Sequence, residues 1–218
     1  MTTHSELIDS TPSLISPATI PNHPMPTSPL KIGVMASGNG SNFEAVAQAI
    51  QSGQLNAQIQ VLIYNNPGIK ALERAERWAV PAILLNHRDY KHREDLDSAI
   101  VEVLQQYGVD WVVMAGWMRI VTSVLIDAFS NKIINIHPSL LPSFKGVRAV
   151  EQALEAGVKI TGCTVHLVCP EVDSGRILVQ AAVPVLSDDT PETLHARIQV
   201  QEHRILPQAL AQLAANKW

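Results

Sequence analysis

From Lys31 onward, short apolar runs alternate with amphipathic stretches. The runs at 32–36, 59–64, 82–85, 111–115, 133–136, 161–168 and 178–185 are rich in Ile, Val and Leu and are too short for helices, which predicts seven strands. Between them, apolar positions recur at helical spacing over 43–51, 69–79, 91–107, 123–129 and 149–155. A long helix is expected from Pro191 toward Asn216, kinked at Pro207, where a ring replaces a hydrogen-bonding N–H. Strands that alternate with helices predict an α/β fold with a mostly parallel open sheet, because parallel neighbours need a crossover. The last two strands are joined through "CPEVDSGR" with no room for a helix, so they are expected to form an antiparallel hairpin. No internal repeat interrupts this order.

The first 30 residues differ. They hold six of the 14 prolines and many Ser and Thr, and the first Lys or Arg of the chain is Lys31. Residues 1–30 are therefore expected to be a disordered tail, with a packed arm as the alternative, and 31–218 one catalytic domain. Neither a secretory signal nor an arginine-rich transit peptide is supported there. A hydrophobic fraction of 46% suits one substantial core. The formal charge of −4 and the lack of a Lys/Arg cluster argue against a nucleic-acid partner. No apolar run approaches the roughly 20 residues that span a bilayer, so no membrane partner is expected. Cys163 and Cys169 lie on the order of 20 Å apart along one extended run and cannot bridge, which fits free core thiols in a reducing cytoplasm. Metal-ligand spacing is missing as well, and no metal is expected.

Candidate chemistry begins at "MASGNGSNFEAVAQAI", a strand, a Gly-rich turn and an amphipathic helix. Gly38 and Gly40 permit close backbone approach, and the amides of Gly40, Ser41 and Asn42 stand at a helix start where the dipole favours an anion. An ordinary turn capped by Ser41 or Asn42 is the competing reading. Phe43 stands where a dinucleotide fingerprint wants its third glycine, and the second strand ends in "YNNP" with no acid for a ribose, so a monophosphate suits the turn better than a dinucleotide.

The second stretch is "NIHPSLLPSFKG". Asn135 and His137 are two apart at a strand end, so both side chains face one side of the pleat. An amide and an imidazole there suit addition to a carbonyl: each can donate to a developing oxyanion, and the imidazole can shuttle a proton. Asp173, in "EVDSGR", can orient the imidazole. A satisfied structural His and plain turn chemistry are the bland alternatives. His166 faces away from Cys163, Val165 and Leu167 and either borders the crevice or is structural. The charged run 73–77 reads as a solvated helix face, and Trp78 and Trp111 as core aromatics.

Taken in order, "SGNGSN", "AGWMRI", "NIHPSLLPSFKG", "GCTVHLV", "DSG" and "QEHRILP" resemble the folate-dependent phosphoribosylglycinamide formyltransferases of purine synthesis, over Lys31 to about Pro207. The resemblance implies a Rossmann-like formyltransferase fold in a cytoplasmic enzyme, monomer or homodimer, acting on small molecules. It implies Asn135, His137 and Asp173 as catalytic group, Gly40, Ser41 and Asn42 as phosphate turn, and Glu202 as the acid that contacts the glycinamide substrate. The co-substrate implied is 10-formyltetrahydrofolate, held by Arg93, Met118, Arg119, Ile120 and Val121 with Asn135. A cis Leu141–Pro142 bond is implied too, while Arg148 and Trp117 depart from the expected pattern.

Three other readings compete. A methionyl-tRNA formyltransferase is expected to carry a further RNA-gripping domain, and a formyltetrahydrofolate deformylase a regulatory domain in place of the proline-rich tail. A non-catalytic folate-binding module of this fold is the third.

Overall fold

The computed structural model describes residues 14–17 and 28–215. Its eight strands are β1 (Leu14–Ser16), β2 (Leu30–Ala36), β3 (Ala57–Tyr64), β4 (Ala82–Leu84), β5 (Trp111–Met114), β6 (Ile133–His137), β7 (Ile160–Leu167) and β8 (Ile177–Pro184). The helices are α1 (Ser41–Gln51), α2 (Lys70–Arg77), α3 (Arg93–Gln106), α4 (Ser123–Ala128), α5 (Ala149–Glu155) and α6 (Pro191–Ala214). One sheet contains every strand, in the order β1-β8-β7-β6-β5-β2-β3-β4. The run from β6 to β4 is parallel, and β7, β8 and β1 extend it in antiparallel fashion. The mostly parallel sheet and the β7–β8 hairpin thus stand where the sequence pattern puts them.

Two apolar layers cover the sheet. On one face Val34, Ala36, Val113, Ile134 and Val165 pack with Phe43 and Val46 of α1 and with Leu194, Ile198, Ile205 and Leu206 of α6. On the other, Met35, Ile63, Val112 and Ile133 pack with Leu96, Ile100 and Leu104 of α3 and Leu125 of α4. Consecutive residues of a strand therefore enter opposite layers, as the period of two requires. Pro207 lies inside α6 without ending the helix.

Two expectations need correction. Residues 14–16 are not a disordered tail: Leu14, Ile15 and Ser16 pair with Ala182, Ala181 and Gln180 of β8, and Ile15 packs against the core. The physical reason is an edge whose backbone N–H and C=O groups otherwise lack partners. Gln208 Nε2 of α6 adds a hydrogen bond to the Pro17 carbonyl at 2.8 Å. The rest of the expected tail, apart from Ser28, Pro29 and Leu30, lies outside the described residues. The run 73–77 is not simply solvated either, because Arg74 and Arg77 each donate to Glu44 Oε2 at 2.9 Å.

This topology positions the site. β2 lies between β5 and β3, and the chain leaves it in one direction and returns on the other side, which opens a crevice beyond the carboxyl ends of β2 and β5. Met35, Met114 and Asn135 stand in adjacent register on β2, β5 and β6. The loops after these three strands consequently share one rim.

Candidate active site

A cleft of about 790 Å³ opens at that rim, walled by the segments 37–42, 114–121, 135–138, 146–149 and 168–173 and by the N-terminal half of α6. Asn135 and His137 come from the end of β6. His166 comes from the facing β7, where it pairs directly across from Asn135. Asp173 arrives from the hairpin with φ of 48°, a left-handed conformation that Asp tolerates better than most residues. The bend therefore falls on Asp173. Gly175 serves a different purpose, since a Cβ there would run into the Leu167 carbonyl.

Asp173 is the hub of the group. Its Oδ2 accepts the Gly146 N–H at 2.8 Å and lies 3.4 Å from His137 Nδ1. Oδ1 lies 3.5 Å from His166 Nε2 and accepts from Asn135 Nδ2 at 3.4 Å. Burial pushes the Asp173 carboxyl up, but the His166 ring, the Gly146 N–H and the neighbouring His137 more than offset it, so it is held below its ordinary range and stays ionised. The His137 ring is fixed from both sides, with Nε2 at 2.8 Å from the Phe144 carbonyl. A carbonyl only accepts, so Nε2 carries a proton. Nδ1 faces the Asp173 carboxylate. His166 Nδ1 likewise donates to the Leu167 carbonyl at 2.8 Å, leaving Nε2 toward Asn135 Nδ2 at 3.2 Å.

At the first turn, Gly40 is the residue before α1, with φ of 73° and no side-chain cap. The cap of the competing reading, from Ser41 or Asn42, is absent, and both side chains turn to α6. Gln199 Nε2 donates to Ser41 Oγ at 3.0 Å, and Asn42 Nδ2 donates to Glu202 Oε2 at 2.9 Å. The opening amides of α1 are consequently left without a side-chain acceptor beside the cleft. Glu202 is buried, which pushes its carboxyl up, and the Asn42 amide and His195 offset this only in part. Asn42 Oδ1 is buried and has no hydrogen-bond partner among the described residues.

The cleft brings together Gly40, Ser41, Asn42, Met118, Arg119, Ile120, Val121, Asn135, His137, Asp173 and Glu202. Arg93 is not on its walls: it opens α3 on an exposed face. Arg148 and Trp117, the two departures, do line it, and so does Cys169, which is therefore no core thiol like the buried Cys163. Leu141–Pro142 is cis, as the resemblance implies. Sequence reasoning missed His195 and Gln199, whose spacing from Glu202 on α6 was the available signal: residues 195, 199 and 202 follow i, i+4, i+7. It missed the Phe144 carbonyl too, which no residue type announces. Asp97 of α3 also went unread; buried, it accepts the Thr122 N–H and so anchors the 115–122 loop.

Known proteins resemble the chain in sequence and in fold. The chain is 45% identical over 186 residues to the trifunctional purine biosynthetic protein adenosine-3 of Homo sapiens, matching 85% of this chain but 18% of that one. It thus spans about a fifth of the length of such trifunctional relatives. To the phosphoribosylglycinamide formyltransferase of Bacillus subtilis it is 41% identical over 183 residues, which cover 84% of this chain and 94% of the relative. Among solved structures, glycinamide ribonucleotide transformylase 1 from Symbiobacterium toebii superposes with a TM-score of 0.86 at 45% identity, over 89% of this chain and 92% of that one. The formyl transferase family model matches residues 30–210, and with it the chain belongs to the formyl transferase family.

Proposed function

We propose that the protein transfers the formyl group of 10-formyltetrahydrofolate to the amine of phosphoribosylglycinamide, as part of purine synthesis in the cytoplasm. The observation that carries this reading is the gathering of Asn135, His137 and Asp173 at one edge of a cleft whose other edge is the uncapped start of α1. Identity above 40% to a formyltransferase named for that acceptor supports it.

In this reading the phosphate of the amine substrate sits on the amides of Gly40, Ser41 and Asn42, where the helix dipole favours it. Glu202, held by the Asn42 amide, contacts the glycinamide substrate beside the phosphate turn, and the amine extends across the cleft to the formyl carbon at His137. The exposed Met118 and Ile120, with Val121, form an apolar wall suited to the flat rings of the folate, and Arg119 stands beside them. Arg93, exposed at the start of α3, stays a proposed contact for the outer, acidic end of the donor.

The amine nitrogen attacks the formyl carbon and forms a C–N bond, and the carbonyl electrons move to oxygen. The Asn135 N–H now shared with Asp173 at 3.4 Å is the weaker of its two contacts and turns to the oxyanion. His137, whose ring nitrogens face the Phe144 carbonyl and Asp173, acts on the same oxygen through the charge of its ring and not through a hydrogen bond. Collapse breaks the bond to N10 of the folate, and the proton released by the amine passes to that nitrogen, with Asp173 and water as relay. No covalent intermediate is required.

An absorbance assay of folate release tests the reading. Release that requires phosphoribosylglycinamide, with formylated amine as product, is expected. Release at the same rate with water alone marks a hydrolase, and no release marks a binding module.

A further inference from the structure

Helix α2 packs against the underside of the first turn. The Ala71 N–H donates to the Gly38 carbonyl at 3.2 Å, and a Cβ on Gly40 would come within 2.7 Å of the Ala71 Cβ. One helical turn further, Arg74 reaches over the same turn. Its Nε donates to the Asn39 carbonyl at 2.9 Å, Nη2 to Asn39 Oδ1 at 3.4 Å, and Nη1 to Glu44 Oε2 at 2.9 Å. Glu44 is held in turn by Arg77 Nη2 at 2.9 Å and by Trp78 Nε1, which donates to Oε1 at 3.1 Å. Neither Arg74 nor Glu44 lines the cleft.

Peptide geometry gives this clamp a consequence. The Asn39 carbonyl and the Gly40 N–H belong to one planar trans unit and point in opposite directions. A carbonyl held on Arg74 sends the Gly40 N–H away from α2, toward the side where Ser41, Asn42 and Glu202 face the cleft. Gly40 has no Cβ, so rotation of this peptide meets little steric resistance of its own. Something else must fix it.

We propose that Arg74 is a positioning residue for the phosphate of the amine substrate: by gripping the Asn39 carbonyl it keeps the Gly40 N–H aimed into the anion cradle, without touching the ligand. The inference rests on the phosphate reading given above. Glu44 sets one negative charge against the two guanidiniums of Arg74 and Arg77, so the cluster stays positive, and Arg74→Lys, which keeps that charge and loses the fork, separates orientation from field. Lysine, a point charge without the planar fork, does not replace it.

The test compares the full chain with Arg74→Met and Arg74→Lys, reading the KM for each substrate, kcat, inhibition by inorganic phosphate, and the amide resonances of Gly40, Ser41 and Asn42 during a phosphate titration. In both variants the KM for the phosphorylated amine and the inhibition constant for phosphate are expected to rise together by about tenfold, the scale of one misdirected charge-assisted hydrogen bond. Meanwhile kcat and the KM for the formyl donor stay within about twofold. If Arg74→Met fails to fold, Arg74→Lys gives the same readout. Wild-type phosphate affinity in the folded variants overturns the role of Arg74, as does a loss spread evenly over both substrates and kcat, the mark of general loosening. If phosphate leaves the three wild-type amides unmoved, the cradle itself is wrong and the role of Arg74 falls with it.

Discussion

The Asp173 carboxylate accepts the backbone N–H of Gly146 at 2.8 Å. One hydrogen bond thereby ties the β7–β8 hairpin to the loop after β6, and the same oxygen lies 3.4 Å from His137 Nδ1. Structure and chemistry are joined in this group, and substitutions separate them.

Asp173→Asn keeps an acceptor for Gly146 and removes the charge that steadies the imidazolium. It is expected to lower kcat by about a hundredfold or more while the thermal midpoint moves little. Asp173→Ala removes the tie as well and is expected to lower both. Steady-state kinetics beside thermal denaturation checks the pair.

Asn135→Ala removes a donor needed when the oxyanion forms and little needed before it. A fall in kcat of about 10²–10³ is expected, with the KM values of both substrates nearly unchanged. A KM effect without a kcat effect would make Asn135 a binding group only.

Glu202 predicts a stability effect of opposite sign to its functional one. Burial raises its folded carboxyl above the unfolded value, so the folded state holds this proton more tightly, and the stability it contributes is lost as pH rises through the folded value. Glu202→Gln is therefore expected to melt higher than wild type at pH 8, with the gap closing as the pH is lowered, and to raise the KM for the amine. Thermal denaturation over a pH series checks it.

Asp189 runs the other way. It accepts from Arg197 Nη1 at 2.7 Å and Nη2 at 2.8 Å and from the Leu186 N–H at 2.7 Å, and its carboxyl is lowered to about 2, chiefly by Arg197. A depressed carboxylate contributes stability above its unfolded value that is lost as pH falls through the folded one. Asp189→Asn is expected to be less stable at neutral pH and to lose less than wild type between pH 4 and about 2.

Much of this was legible in the sequence because the signals were local. Alternation on a strand puts Asn135 and His137 on one face, and a hairpin too short for a helix brings Asp173 back to the sheet edge. The rest depended on partners far along the chain. Leu14, Ile15 and Ser16 form a strand only because β8, some 165 residues away, offers an edge, and nothing in a Pro/Ser/Thr-rich segment announces that. Arg74 lies 30 residues from Glu44, so its helix face looked merely solvated. His166 was balanced between two readings until Asn135 and Asp173 stood beside it. Arg93 came from resemblance alone, and its exposed place on α3 gives it no wall of the cleft.

The most direct measurement is a crystal structure of the protein with phosphoribosylglycinamide and a non-transferable analogue of the formyl donor. The account predicts the phosphate on the amides of Gly40, Ser41 and Asn42, Glu202 against the glycinamide substrate, and the donor's carbonyl analogue within hydrogen-bonding reach of Asn135 and beside His137. A phosphate bound elsewhere, or a donor group remote from those two side chains, would contradict it.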